Sequence, residues 1–161
     1  MLIQIVAVGK IKEEYLKKGI AQYSKEITKY YSFEIIEVAD EPAQERLSLA
    51  EEEQVKLKEG ERILQQVKDD SFVIVLDIQG KKYSSEQFAN KINSLIQEGK
   101  EHITFIIGGS LGLGKNVLKR ADFRLSFSPM TFPHQLMRLI LVEQIYRISA
   151  INRGTKTRQE K

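Results

Sequence analysis

The sequence contains no cysteine, only three prolines and only two histidines in 161 residues. The missing cysteine excludes a disulfide framework, thiolate metal sites and a cysteine nucleophile together. The histidines, His102 and His134, stand far apart without a neighbouring ligand cluster, so a histidine-based metal centre has no support. No apolar run approaches the ~18 residues of a membrane span. The opening MLIQIVAVGK lacks the basic lead-in and the small-residue cleavage site of a secretion signal. A cytoplasmic protein without membrane contact is expected. Serines are frequent, but none occupies a G-x-S-x-G elbow.

What is present is ordinary in amount and uneven in distribution. The chain is 42% hydrophobic and 29% charged, with 10 glycines. A chain of this length buries roughly 68–70% of its unfolded surface and needs no staples. Length favours one domain over residues 1–161, with a polar, mobile end at 155–161. Lys plus Arg is 25 against 22 Asp plus Glu, a net charge of +3. Residues 1–80 carry 11 basic and 16 acidic side chains, whereas residues 81–161 carry 14 and 6. The excess is concentrated in 115–161, with 10 basic and 3 acidic residues, which points to an anionic partner for that half.

Strand and helix patterns alternate along the chain. LIQIVAVG is a β-branched run closed by Gly9, and FEIIEVA (33–39) and FVIVLDI (72–78, stopping at Gly80) read as further strands. Residues 12–31 place apolar side chains three and four apart and predict an amphipathic helix. Residues 47–68 predict a charged surface helix, with a bend at Gly60. Ser84 and Gln87 form a capping box before a helix that ends at Gly99. ITFII (103–107), a short helix at 116–121 and the strand FRLSF (123–127) follow, and Pro133 opens a last helix running to about Asn152. Such alternation predicts an α/β fold with a mostly parallel sheet. Ligands then gather at the carboxyl ends of strands, here Asp77–Gly80, Gly108–Gly114 and Ser128–Phe132.

The glycine loop invites a nucleotide-binding reading, which its details reject. Gly109 to Lys115 matches G-x-x-x-x-G-K, but Asn116 stands where a Ser or Thr should ligate magnesium. The acidic strand also precedes the loop instead of following it. Two uses of the glycines remain open: close approach of backbone to a ligand, or a tight strand-to-helix turn. The last helix is apolar on more than one face (Leu136, Met137, Leu139, Ile140, Leu141, Val142, Ile145, Ile148). It is therefore either buried in a large core or packed against another subunit. Glu143 and Arg147, one turn apart, read as a structural ion pair. Among the basic residues, Arg138, Arg147, Lys156 and Arg158 are candidates for contact with phosphates.

AVGK (7–10), IIEVADE (35–41), FIIGGSLGL (106–113) and above all LSFSPMTFPHQLMRLILVEQIYR (125–147) closely resemble the bacterial ribosomal RNA large subunit methyltransferase H family, of the SPOUT class. The resemblance covers about residues 1–154. It implies an α/β fold with a C-terminal trefoil knot and a homodimer through the last helix. It also implies S-adenosyl-L-methionine held by Leu76, Gly108, Phe127, Ser128, Pro129, Met130, Thr131 and Phe132. The implied substrate is N3 of a pseudouridine in helix 69 of 23S rRNA, methylated on the assembled ribosome. Removal of the N3 proton calls for a base or an anion stabiliser; His134 and the basic end, Arg153 first, are the candidates. The family ends in a Tyr-His pair and a basic residue, whereas Gly154 is followed here by TKTRQEK. A second reading follows: a diverged relative that keeps the fold and binds RNA with altered target or lost catalysis.

Overall fold

A computed structural model describes residues 1–42 and 45–153, with only the backbone of Arg153 included. Ten elements follow one another: β1 (Leu2–Val8), α1 (Glu14–Ile27), β2 (Ser32–Val38), α2 (Leu49–Leu64), β3 (Phe72–Lys82), α3 (Ser85–Gln97), β4 (His102–Ile107), α4 (Lys115–Arg120), β5 (Phe123–Ser126) and α5 (His134–Arg153). The strands form one sheet in the order β2-β1-β4-β3-β5, and every pairing is parallel. The central strands are therefore buried on both faces, which is why LIQIVAV and HITFII are near-continuous apolar runs.

Side chains alternate between two cores. Ile3, Ile5 and Ala7 of β1 point with Ile103, Phe105 and Ile107 of β4 into a core closed by α1, α3 and α5. Val6 and Val8 point with Val73, Val75 and Ile106 into a smaller core closed by α2 and α4 through Ile63 and Val117. On α1, Leu16, Ile20 and Ile27 form the buried stripe. Four apolar residues of α5, Leu141, Val142, Ile145 and Ile148, are fully buried within the chain itself. An intrachain core thus accounts for much of this helix, while Leu136, Met137 and Ile140 stay half-buried.

Several boundaries move from their sequence positions. α1 is shorter than 12–31, because Thr28 caps it and the chain turns toward β2. β3 runs on past Gly80 to Lys82 by a register shift: Leu76 and Lys81 both pair with Leu125. Residues 77–80 are thereby looped out. Gly80 makes the return, since a Cβ there would lie 2.7 Å from the Arg124 carbonyl group. α2 continues through Gly60, so the glycine serves close packing instead of a helix break: a Cβ would meet the Asn116 side chain at 2.4 Å. The capping box at Ser84 and Gln87 and the left-handed Gly99 (φ +90°) are as the sequence predicts. A second capping box, Ser48 with Glu51, opens α2.

Candidate active site

The looped-out segment of β3 is one of three loops that meet above the carboxyl ends of β3, β4 and β5. Between them lies an open cavity of about 520 Å³, within the usual range for small-molecule sites. Leu76, Asp77 and Ile78 form one wall, Gly108–Leu113 a second, and Phe127, Ser128 and Met130–His134 a third, with Met137 behind. The structure therefore brings together Leu76, Gly108, Phe127, Ser128, Met130, Thr131, Phe132 and His134. Pro129 lies between two of them without contributing to the wall.

Local bonds shape each loop. Asp77 accepts a hydrogen bond from the Gln79 N–H at 3.0 Å, and Arg124 approaches its other oxygen at 3.8 Å. The Ser128 hydroxyl accepts from the Met130 N–H at 3.0 Å, while the Ser126 hydroxyl donates to the Ser128 carbonyl. This turn presents Met130 and Phe132 outward, 69% and 36% exposed. In the glycine loop, the Gly112 N–H donates to the Gly109 carbonyl at 3.0 Å, and Gly112 is left-handed (φ +93°). The other glycines are required by the protein's own packing. A Cβ on Gly108 would lie 2.9 Å from the Gly112 carbonyl group, and one on Gly114 would lie 2.8 Å from the Lys56 carbonyl oxygen. Asn116, the residue that spoils the nucleotide motif, bonds the Leu57 carbonyl and the Val117 N–H.

Charge in the lining is more selective than shape. Among the described residues, Asp77 is its one carboxylate, and it contains neither lysine nor arginine. Such a wall suits an apolar ring system carrying a cationic centre and is wrong for a triphosphate. His134, the first residue of α5, is half-buried at the rim, where burial and then Arg138 push its pKa below the ordinary imidazole value. It is thus the neutral, proton-accepting form that faces the cavity at pH 7.

The proposed RNA contacts fare differently. Arg138 is 1% exposed and is not available to phosphate. Its guanidinium is held by Glu37 at 2.6 Å and by the carbonyls of Val8 and Gly9, so it ties α5 to the ends of β1 and β2. Arg147 is bonded twice by Glu143, at 2.8 and 3.1 Å, the ion pair expected from their spacing. Arg153 closes α5; its side chain, with Lys156 and Arg158, lies outside the described residues. Leu111 and Leu113 fall inside the Gly108–Gly114 loop that the strand-end rule marks, though the resemblance singles out only Gly108 there; Met137, legible only as an apolar position of the last helix, carries no signal for the site.

A parallel sheet with helices on both faces and an apolar cavity at its strand ends defines an α/β protein with a small-molecule site. The model of the family described as "Predicted SPOUT methyltransferase" matches residues 1–156, and the chain belongs to that family. Its enzymes take their methyl group from S-adenosylmethionine, whose apolar adenine and cationic sulfonium fit the lining described above. The chain is 60% identical over 154 residues to the ribosomal RNA large subunit methyltransferase H of Carboxydothermus hydrogenoformans, covering 96% of this chain and 97% of that protein. To the protein of the same name from Alkaliphilus oremlandii it is 59% identical over the same shares. A solved "probable methylase family protein" from Haemophilus influenzae superposes with a TM-score of 0.51 at 13% identity, over 95% of this chain and 69% of that one, and supports the fold alone.

Proposed function

We propose that this protein is an S-adenosylmethionine-dependent ribosomal RNA methyltransferase acting on N3 of a pseudouridine in helix 69 of 23S rRNA. It would act on the assembled ribosome, in the cytoplasm, as a homodimer whose C-terminal region forms a trefoil knot. The observation that carries the reading is the cavity at three strand ends, apolar and, among the described residues, free of lysine and arginine, with His134 at its rim. Relatives named as ribosomal RNA large subunit methyltransferase H, at 59–60% identity over nearly the whole chain, support the rRNA methyltransferase part of it.

When bound, the cofactor supplies an electrophilic methyl group on a sulfonium. The chain's work is to bind, orient and exclude water. Leu76, Phe127, Met130 and Phe132 provide apolar walls for the purine, and the Gly108 and Ser128 segments bring backbone polar groups within reach. Asp77, which Arg124 also approaches at 3.8 Å, is the carboxylate nearest to where the sulfonium would lie in this reading. Holding the target nitrogen in line behind the methyl group is the largest contribution such a site can make. His134, on the cavity rim, would be placed to accept the N3 proton. Arg153, Lys156 and Arg158 are assigned to the RNA anion and its phosphates, whereas Arg138 is withdrawn from that role. The half-buried Leu136 and Ile140, with Tyr15 at 67% exposure, support a second copy packing near α5 and α1.

Calorimetry with S-adenosylmethionine tests the cavity: no binding at high micromolar concentration sinks the enzyme reading. Ribosomes from a strain lacking the family enzyme test the target. Mass spectrometry should show one methyl added to helix 69; tight ribosome binding without it favours the diverged, non-catalytic relative.

A further inference from the structure

The glycine loop rests on a buried carboxyl group. Glu59 of α2 is 6% exposed. One of its oxygens accepts the Glu41 N–H at 2.9 Å. The other lies beneath Gly109, so close that a Cβ on that glycine would sit 3.0 Å from it and 3.2 Å from Val8. One turn earlier on the same face of α2, the Lys56 carbonyl lies against Gly114. Both ends of the loop that walls the cavity are therefore seated on a single helix.

We propose that Glu59 is a positioning residue for the cofactor site: it locks the Gly109 turn and the β2–α2 connection together from behind the cavity wall. Gly109 lines the cavity and Glu59 does not, so it acts through the turn. The inference rests on the reading of that cavity as the S-adenosylmethionine site.

Stability alone is a poor reason for a carboxyl here. A buried carboxyl without a cation is costly. The Arg62 guanidinium, whose charge acts on Glu59, is committed to Glu41 at 2.9 Å and to the Ala39 carbonyl at 2.9 Å. Burial raises the Glu59 pKa above the ordinary carboxylate value. Asp40 and Glu41 add to that, against the Glu41 N–H and Arg62. An apolar residue would avoid the cost, but it would leave the Glu41 N–H without its partner and the turn without its polar floor. A charged helix that reads from sequence as solvated is thus a buttress for the site.

Three proteins separate positioning from general support: the full-length wild type, Glu59→Gln and Glu59→Ala. Amide hydrogen exchange over residues 106–115 is measured without ligand, S-adenosylhomocysteine affinity by calorimetry, and Tm by scanning calorimetry. Glu59→Gln keeps an oxygen for the Glu41 N–H and should stay within about threefold of wild type in exchange and Kd. Glu59→Ala should speed exchange in the turn about tenfold and weaken binding about tenfold, because it removes the carboxyl packed beneath Gly109 together with its bond to the Glu41 N–H. Exchange in β1 and α3 should not change. The proposal is overturned if Glu59→Ala leaves turn and affinity intact, if it loosens β1 and α3 equally, or if Gln fails to rescue. A wild type that does not bind S-adenosylhomocysteine, with a turn still loosened by Ala, refutes the cofactor reading and leaves the positioning role standing.

Discussion

Replacing Gly60 by alanine sets two effects of opposite sign against each other. In an exposed helix interior the change stabilises by about 1 kcal/mol, because alanine restricts the unfolded chain and favours helix. Here the new Cβ would lie 2.4 Å from the Asn116 Oδ1, 2.8 Å from its Nδ2 and 2.9 Å from its Cγ. The amide cannot yield freely, since it bonds the Leu57 carbonyl at 3.1 Å and the Val117 N–H at 2.9 Å. Overpacking of this kind costs about 1–3 kcal/mol, and each strained hydrogen bond adds roughly 0.5–1.5 kcal/mol. The expected balance for Gly60→Ala is a loss of about 1–5 kcal/mol, or roughly 3–15 °C in Tm for a domain of this size. Urea unfolding gives the energy directly, and Asn116→Ala closes a double-mutant cycle. Alone, Asn116→Ala should cost about 1–2 kcal/mol for its two bonds. Combined with Gly60→Ala, it should cost less than the sum by at least about 1 kcal/mol, because the clash is gone. An increase in Tm for Gly60→Ala, or strict additivity in the cycle, would refute the close-approach account of this glycine.

Three other outcomes are expected. His102 is 7% exposed with its Nε2 unpartnered among the described residues, and burial followed by Lys68 lowers its pKa. The unfolded chain therefore binds the proton more tightly, so this stability is complete above the ordinary imidazole pKa of about 6.5 and declines as pH falls below it. His102→Gln should show a shallower loss of Tm between pH 7.5 and 5.5 than wild type; equal slopes would reject the argument. Glu37→Gln should cost about 3 kcal/mol, because it leaves the buried Arg138 guanidinium without its counter-charge, whereas Arg138→Met should cost less, about 1–2 kcal/mol, because the half-exposed Glu37 it strands is still hydrated and accepts the Ile11 N–H. Chemical denaturation of both variants checks that asymmetry. RNA affinity should fall with ionic strength by about 0.7–0.9 log units per log unit of salt for each phosphate neutralised. Arg138→Met should leave that slope unchanged, and a slope reduced by about one would return this arginine to the RNA surface.

Strand positions were legible because a parallel sheet buried on both faces demands continuous β-branched runs, and those runs stand out at 2–8, 72–78 and 103–107. The strand-end rule then located the cavity before any side chain was placed. What escaped was set by contacts distant in sequence. Arg138 reads as one cation among many, because Glu37 and the Val8 and Gly9 carbonyls that bury it are about a hundred residues or more away. Gly60 reads as a weak point in a helix, because Asn116 is invisible from its neighbours. The bulge in β3 escaped because Gly80 resembles a strand stop until β5 is laid beside it. Glu59 sits in a run of charges whose pattern distinguishes none of them.

The strand order has a consequence for synthesis. β1 is made first, yet one of its two neighbours is β4, with Leu2 opposite His102. At translation rates of roughly 5–20 residues per second, that edge of β1 waits roughly 5–20 s for its partner. During the wait LIQIVAV offers an uncharged, β-branched edge, the kind that pairs readily with another chain. The waiting edge is thus a hazard of the nascent chain that the finished fold removes, because β4 covers it.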